Sequence, residues 1–353
     1  MQRKAHLRRK FNNLGIDGLL ITDLNNVRYL SGFKGSSGCI ILTKKKSLFL
    51  SDFRYKEQIK AEVEDYTVII EHTDRSKEIK DICKKYGIRI LGFEDHNVTY
   101  GVYRKLLKGK VKLKPLNGVV ESLRVIKLPD EIQCIKKAVQ RAESAFRKLQ
   151  PFIKAGQTER KVALKMEELL KAEGCKMLPF EVIVASGSMS ALPHAQPSNR
   201  KFKKGDLIVI DWGGEYKGYF SDMTRTVLLN SSNISRQKEL YFNVLEAQKR
   251  AIRTVRSGIQ AAKVDAAARD YIEQKGYGDF FGHGTGHGVG LAVHEKPVVS
   301  WRNREIIKED MVFTVEPGIY IPGFGGVRIE DMVVAGKNEA ELLTSLPKKL
   351  KII

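Results

Sequence analysis

Leu207-Ile208-Val209-Ile210-Asp211-Trp212-Gly213-Gly214-Glu215-Tyr216-Lys217-Gly218-Tyr219-Phe220-Ser221-Asp222 reads as an apolar strand that turns back on itself with a carboxylate on each arm. The glycines at 213, 214 and 218 supply the turn. Folding the chain over residues 215–218 sets Asp211 and Asp222 on facing strands. Like charges opposite one another in a sheet are destabilising, and a buried carboxylate is costlier still. Two readings stand at this point. Either a cation sits between the acids, or Asp211 merely starts the turn and Asp222 is exposed.

The pattern recurs. Met311-Val312-Phe313-Thr314-Val315 is a second apolar strand and ends in Glu316-Pro317-Gly318. Pro322-Gly323 and Gly325-Gly326 make its turn, and Val327-Arg328-Ile329-Glu330-Asp331 brings Glu330 back alongside Glu316. Between the two hairpins lies Gly282-His283-Gly284-Thr285-Gly286-His287-Gly288-Val289-Gly290-Leu291-Ala292-Val293-His294-Glu295, which holds three of the chain's seven histidines. Glycine beside histidine lets the backbone approach a bound group closely, and histidine is both the commonest metal ligand and the usual proton carrier near neutral pH. Asp211, Asp222, His287, Glu316 and Glu330 form an oxygen-rich set suited to two divalent cations such as Mn²⁺ or Co²⁺. A purely structural account has to explain five polar residues on core strands one by one. The glycine run has neither a GxGxxG leading into a helix nor a Gly-Lys-Ser/Thr ending, so it does not read as a phosphate loop.

Working outward, 353 residues are long for one domain, and 42% hydrophobic with 29% charged residues describes a soluble globular chain. Residues 1–120 alternate short apolar runs (18–22, 39–43, 47–50, 66–70, 88–92) with helix-period stretches at 54–62 and 76–86. This predicts a small α/β domain with a mostly buried sheet. His6, His72 and His96 are isolated within it and read as surface or structural. Pro129 with Asp130 and Glu131 opens a long amphipathic helix. Further helices are predicted at 159–172, 235–255 and 262–274, and strands at 180–185, 207–212, 219–229, 311–321 and 326–334. The second domain is therefore α+β. The domains are expected to span residues 1–122 and 123–353.

The net charge of +21 raises the question of a nucleic-acid or membrane partner. The basic residues are dispersed, with no aromatic-interleaved stripe, which favours a solvated surface over nucleic-acid binding. The four cysteines are far apart and read as reduced thiols in a cytoplasmic protein. No apolar run approaches a membrane span, and no signal-peptide core follows the basic start.

At these motifs the sequence resembles the pita-bread metallopeptidases, the group of aminopeptidase P, prolidase, methionine aminopeptidase and creatinase. The matching stretches are residues 211–226, 282–295, Val315-Glu316-Pro317-Gly318 and Gly326-Val327-Arg328-Ile329-Glu330-Asp331. Residues 1–120, including Asn26-Val27-Arg28-Tyr29-Leu30-Ser31-Gly32-Phe33, resemble the creatinase-type N-terminal domain of the proline-specific branch, which methionine aminopeptidases generally lack. The resemblance implies an α/β creatinase-like N-terminal domain followed by an α+β pita-bread catalytic domain. It implies two divalent ions, Mn²⁺ first, with Co²⁺ or Zn²⁺ as alternatives. Asp211 would chelate one, His287 with Glu316 would serve the other, and Asp222 and Glu330 would bridge them. His194, in Leu192-Pro193-His194, matches the branch's substrate histidine, and His283 and His294 match histidines that contact substrate. Arg328 matches an arginine beside the metals, and neutralising excess carboxylate explains it equally well. The metals would lower the pKa of the attacking water, His294 would steady the peptide carbonyl or oxyanion, and Glu316 would shuttle a proton to the departing proline nitrogen.

Many prolidases carry an arginine after His-Glu-x-Pro, suited to clamp a dipeptide's free carboxylate. Here His294-Glu295-Lys296-Pro297 is followed by Val298, although Arg302 or Arg304 lies close in sequence. The departure favours an Xaa-Pro aminopeptidase, with an Xaa-Pro dipeptidase as the alternative. A homodimer follows from the resemblance. Non-catalytic binding proteins of this fold typically have degraded ligands, and all five are present here.

Overall fold

Six short strands in the first 124 residues form one mixed sheet, in the spatial order Thr67–Ile70, Ser47–Ser51, Cys39–Thr43, Gly18–Ile21, Ile90–Glu94, Lys112–Leu116. The central strands Gly18–Ile21 and Cys39–Thr43 are buried along their whole length, which is why they read as continuous apolar runs. The edge strand Lys112–Leu116 was not among the predicted strands. Its lysines are exposed on the rim, where charge and Pro115 discourage further pairing, so it carries no apolar run to detect. The helix Leu24–Ser31 also went unpredicted. It is set by its ends: Asp23 caps the Asn26 N–H, and Gly32 closes the helix at φ 82°.

The chain is described here by a computed structural model covering residues 2–353, and it divides into two compact units between Arg124 and Val125. In the second unit the helices Pro129–Leu149 and Glu159–Ala172 pack on a four-stranded sheet ordered Lys351–Ile352, Met223–Leu228, Leu207–Trp212, Ile183–Ser186. Trp212 anchors this layer. Its ring stacks on Phe146 at 4.5 Å, and its indole N–H donates to the Ala142 carbonyl at 2.9 Å. The helices Ser235–Thr254 and Ala261–Gln274 share a second core with a five-stranded sheet, ordered Glu295–Val299, Gly286–Gly288, Val312–Val315, Asp331–Ala335, Ala340–Leu342.

The two long strands expected at 311–321 and 326–334 are each broken. Val312–Val315 and Asp331–Ala335 pair in the five-stranded sheet, whereas Gly318–Ile321 and Gly325–Arg328 pair as a separate ribbon. Glu316 and Glu330 sit at the two crossings, next to the last ladder pair Val315↔Asp331. Both hydrophobic stretches are buried on either side of the crossing, so periodicity alone does not reveal the break.

Candidate metal centre and peptide cavity

The first hairpin brings its acids together with a register different from the one the sequence suggests. Asp211 pairs with Thr224 and Trp212 with Met223, so Asp222 lies just before the strand instead of directly opposite Asp211. The turn is made by its own small ribbon, Glu215–Tyr216 with Tyr219–Phe220. Asp222 and Glu330 are both buried, and Glu330 Oε2 accepts the Thr224 hydroxyl at 2.7 Å. The Glu330 N–H donates to the Thr224 carbonyl, and the Glu316 N–H donates to Thr285. Backbone bonds thus join both acidic hairpins to each other and to the histidine loop.

His287 completes the cluster. Its Nδ1 lies 3.1 Å from the Gly288 carbonyl, so an N–H there donates to it and leaves Nε2 as a bare lone pair. That Nε2 is 3.3 Å from Glu316 Oε1 and 3.5 Å from Asp222 Oδ2. Asp222, His287 and Glu330 offer ligand atoms all within 4.8 Å of one another, a set able to coordinate one metal ion.

The electrostatics call for a cation. Burial, and then the neighbouring Glu330, Asp211 and Glu316, push the Asp222 carboxyl well above its ordinary range. Burial followed by Glu316 and Asp211 does the same to Glu330, and burial raises Glu316. Asp211 Oδ1, Asp222 Oδ1 and Glu330 Oε1 are buried without a hydrogen-bond partner. Three orphaned carboxylate oxygens converging with a free imidazole lone pair fit divalent metal ligation. Among the described residues the only guanidinium lining this cavity is that of Arg328, and it is already engaged: Nη2 donates to Asp211 Oδ2 at 2.7 Å, Nη1 to the Tyr320 hydroxyl at 3.0 Å and Nε to Thr224 at 3.1 Å. Arg328 therefore pairs directly with Asp211, and its longer-range pull on Asp222, Glu316 and Glu330 does not offset their burial.

Above the acids is a cavity of about 440 Å³, a size suited to a small peptide. All five predicted ligands reach it, as do His194, His283, His294 and Arg328. His194 is exposed at the rim. His294 is exposed to the cavity with its ring 4.4 Å from that of His287, and desolvation of the ring, with His287 beside it, lowers its pKa. His283 differs from the other two. Its Nδ1 lies 2.7 Å from the Gly284 carbonyl and its Nε2 2.9 Å from the Tyr320 hydroxyl, so both nitrogens are occupied and the ring braces the loop. Phe180, Val182, Ile183, Pro193, Pro197 and Val298 give the cavity an apolar wall.

Several contributors escaped the sequence reading. Tyr320 bridges His283 and Arg328, and burial pushes its hydroxyl up to about 12. Asp265, fully buried, accepts the Thr285 N–H and hydroxyl, while Arg269 clasps Asp265 and donates to the carbonyls of Phe281 and His283. Asp265 and Arg269 are four residues apart on one helix, a spacing that in sequence looks like any surface ion pair.

Residues 133–337 match the metallopeptidase family M24, and residues 3–126 match the creatinase/prolidase N-terminal domain. The chain belongs to metallopeptidase family M24. Its fold is accordingly the α/β creatinase-like domain and α+β pita-bread catalytic domain expected from the sequence, and the chain is an enzyme of the Xaa-Pro-specific group. It is similar to a solved Xaa-Pro dipeptidase from Bacillus anthracis, with a TM-score of 0.98 and 40% identity over 100% of this chain and 99% of that one. It is also similar to an Xaa-Pro dipeptidase of Pyrococcus horikoshii, at 40% identity over 95% of this chain and 94% of the relative. A solved X-Pro aminopeptidase from Thermotoga maritima matches with a TM-score of 0.90 and 37% identity, over 98% of this chain and 100% of that one. Among the described residues no helix is long and apolar enough to cross a membrane.

Proposed function

We propose that this metallopeptidase is an Xaa-Pro dipeptidase, cleaving the bond between a residue and a C-terminal proline with two divalent cations in the carboxylate cluster. The observation that carries the dipeptidase reading is the full-length likeness at 40% identity to two proteins named for that activity. This revises the aminopeptidase expected from the sequence. The second reading keeps one specific observation: Val298, half exposed, lines the cavity where a carboxylate clamp would be cationic, and Arg328 is engaged with Asp211.

In this proposal Asp211, Asp222, His287, Glu316 and Glu330 would together hold the cations, with Mn²⁺ first and Co²⁺ or Zn²⁺ as alternatives. Cations so placed supply Lewis acidity, lowering the pKa of water and polarising the peptide carbonyl. The chain's own residues do the rest. His294, neutral because desolvation lowers its pKa, donates a hydrogen bond to the carbonyl oxygen. Glu316, oriented by the Thr314 hydroxyl at 3.0 Å, carries a proton to the departing proline nitrogen, which has no hydrogen of its own in the peptide. The apolar wall excludes water and receives the pyrrolidine ring, and His194 approaches the substrate from the rim. Proline-containing peptides are the substrates, and a cytoplasmic homodimer is part of the same proposal.

Protein exchanged into Mn²⁺ should hold close to two ions per chain and hydrolyse Gly-Pro. Hydrolysis of Arg-Pro-Pro with no action on Gly-Pro would replace the dipeptidase reading by the aminopeptidase one. An inert protein that holds no metal under Mn²⁺, Co²⁺ and Zn²⁺ would end both.

A further inference from the structure

One wall of the cavity, from Pro193 to Pro197, lies on a connection that contains no strand. It leaves the strand Ile183–Ser186, makes the short turn Gly187–Ala191 and runs on past residue 200 toward Leu207. Irregular connections of this length move unless something holds them. Here one carboxylate holds both ends. Glu159, the first residue of the helix Glu159–Ala172, is fully buried. Its Oε1 accepts the Ser186 N–H at 2.8 Å and the Ser186 hydroxyl at 2.7 Å. Its Oε2 accepts the Ser198 N–H at 3.0 Å and the Ser198 hydroxyl at 2.6 Å. Arg200 reinforces the clasp, donating to the Ser186 hydroxyl at 2.6 Å while pairing with Asp206. The helix start joins in, since the Glu159 and Arg160 N–H groups donate to the carbonyls of Arg200 and Ser198.

Glu159 itself does not line the cavity. Four donors converge on it, two to each oxygen, a pattern that only an acceptor at both oxygens satisfies. The helix dipole favours an acid at this position but does not require its burial, and it is the donors of Ser186 and Ser198 that occupy both oxygens. The middle of the loop hangs on the opposite side: the Gly326 N–H donates to Ser190, and Arg328 donates to the Pro193 carbonyl. The ends depend on Glu159.

We propose that Glu159 is a positioning residue for substrate binding: by clasping Ser186 and Ser198 it fixes the loop that presents His194 and the Pro193–Pro197 wall to the peptide. The proposal rests on the reading that His194 faces substrate. Its effect should fall on KM and run through His194, because no part of Glu159 reaches the reacting atoms.

The test is a double-mutant cycle of Glu159→Gln and His194→Ala on the Mn²⁺-loaded enzyme with an Xaa-Pro dipeptide, accompanied by amide hydrogen exchange. Gln keeps the shape but turns one oxygen into a donor facing an N–H and a hydroxyl. Losing bonds to a charged acceptor should raise KM by about tenfold, with kcat within about twofold. In the His194→Ala background the same change should cost less than about twofold. Exchange should quicken across residues 187–197 and stay unchanged in the strand Leu207–Trp212. Ser198→Ala, which removes one donor and leaves the carboxylate, should shift KM in the same direction by roughly two- to fivefold. It replaces Glu159→Gln in the cycle should that variant not fold. Equal effects in both backgrounds, a fall in kcat at constant KM, or faster exchange throughout the chain would each overturn the proposal. An unchanged KM in His194→Ala alone would mark a failure of the His194 reading, and the exchange pattern would then decide whether Glu159 holds the loop.

Discussion

Replacing Asp222 by Asn removes one charge from the centre of the acidic cluster while keeping its shape, and it should move stability and activity in opposite directions. The ligand atoms of Asp222 and Glu330 lie within 4.8 Å of each other. Two unit charges at that distance repel by roughly 3 kcal/mol at an effective dielectric near 20. Because burial and its neighbours raise the Asp222 pKa, the metal-free protein escapes part of this repulsion by holding a proton. The net gain from the substitution is therefore about 1–3 kcal/mol, a rise of roughly 3–10 °C in the metal-free Tm for a unit of this size. The sign with pH follows from linkage. A carboxyl whose folded pKa is raised does not destabilise below its unfolded value, and its penalty grows as pH rises through the window up to the folded value. The Tm difference between Asp222→Asn and the native chain in EDTA should accordingly be near zero around pH 4 and largest at pH 8. With Mn²⁺ the order reverses. Ligand at a hundredfold its Kd adds about 2.7 kcal/mol to the native protein, and the variant should gain far less. Its turnover should fall by more than the roughly 10–100-fold typical of residues that only support a ligand. Thermal melts in EDTA and in Mn²⁺ at several pH values, with turnover of Gly-Pro, measure all of this. An Asn variant that is less stable than native in EDTA at pH 8, or that responds to Mn²⁺ like the native chain, would refute the electrostatic account of the site.

Three further outcomes follow from other contacts. Val298→Arg places a guanidinium at the cavity rim, and one charge-assisted bond to a free carboxylate should improve Gly-Pro relative to Arg-Pro-Pro by about tenfold in kcat/KM; an unchanged ratio would show that the carboxylate lies elsewhere. Arg269→Met leaves Asp265 buried without its guanidinium partner, which should destabilise the protein by about 3–5 kcal/mol in denaturant titration. Pairing it with Asp265→Asn should recover part of that loss, and no recovery would mean that the helix fails for another reason. Tyr320→Phe frees His283 Nε2 and one Arg328 donor, so kcat/KM should drop by roughly tenfold while metal stoichiometry stays unchanged; loss of metal instead would place Tyr320 in support of the ligands.

Much of the fold was legible because burial and periodicity agree wherever an element is central. The strands Gly18–Ile21, Cys39–Thr43 and Leu207–Trp212 are covered on both faces and read as unbroken apolar runs. Elements set by their ends or their edges were not legible in that way. The helix Leu24–Ser31 depends on Asp23 and Gly32, and the rim strand Lys112–Leu116 exposes both its lysines and Pro115, with only Leu116 buried.

The candidate site shows where one-dimensional reading stops. A hairpin model places acids face to face across a ladder, whereas the folded chain puts Glu316 and Glu330 where two apolar strands pass from the five-stranded sheet to the small ribbon. At such a crossing the backbone leaves the ladder, and a side chain can turn inward without displacing a core neighbour. Neither effect alters the local pattern of hydrophobicity, so the acids were visible while their geometry was not. The compensating groups were hidden for a related reason. Thr224 and Tyr320 sit on strands whose composition already accounts for them, and Asp265 with Arg269 looks like an exposed helical pair although Asp265 is fully buried. What separates these residues from ordinary ones is the number of partners converging on a single polar atom. That convergence exists only once strands far apart in sequence are brought together, as when Arg328 meets Asp211, Thr224 and Tyr320 at once.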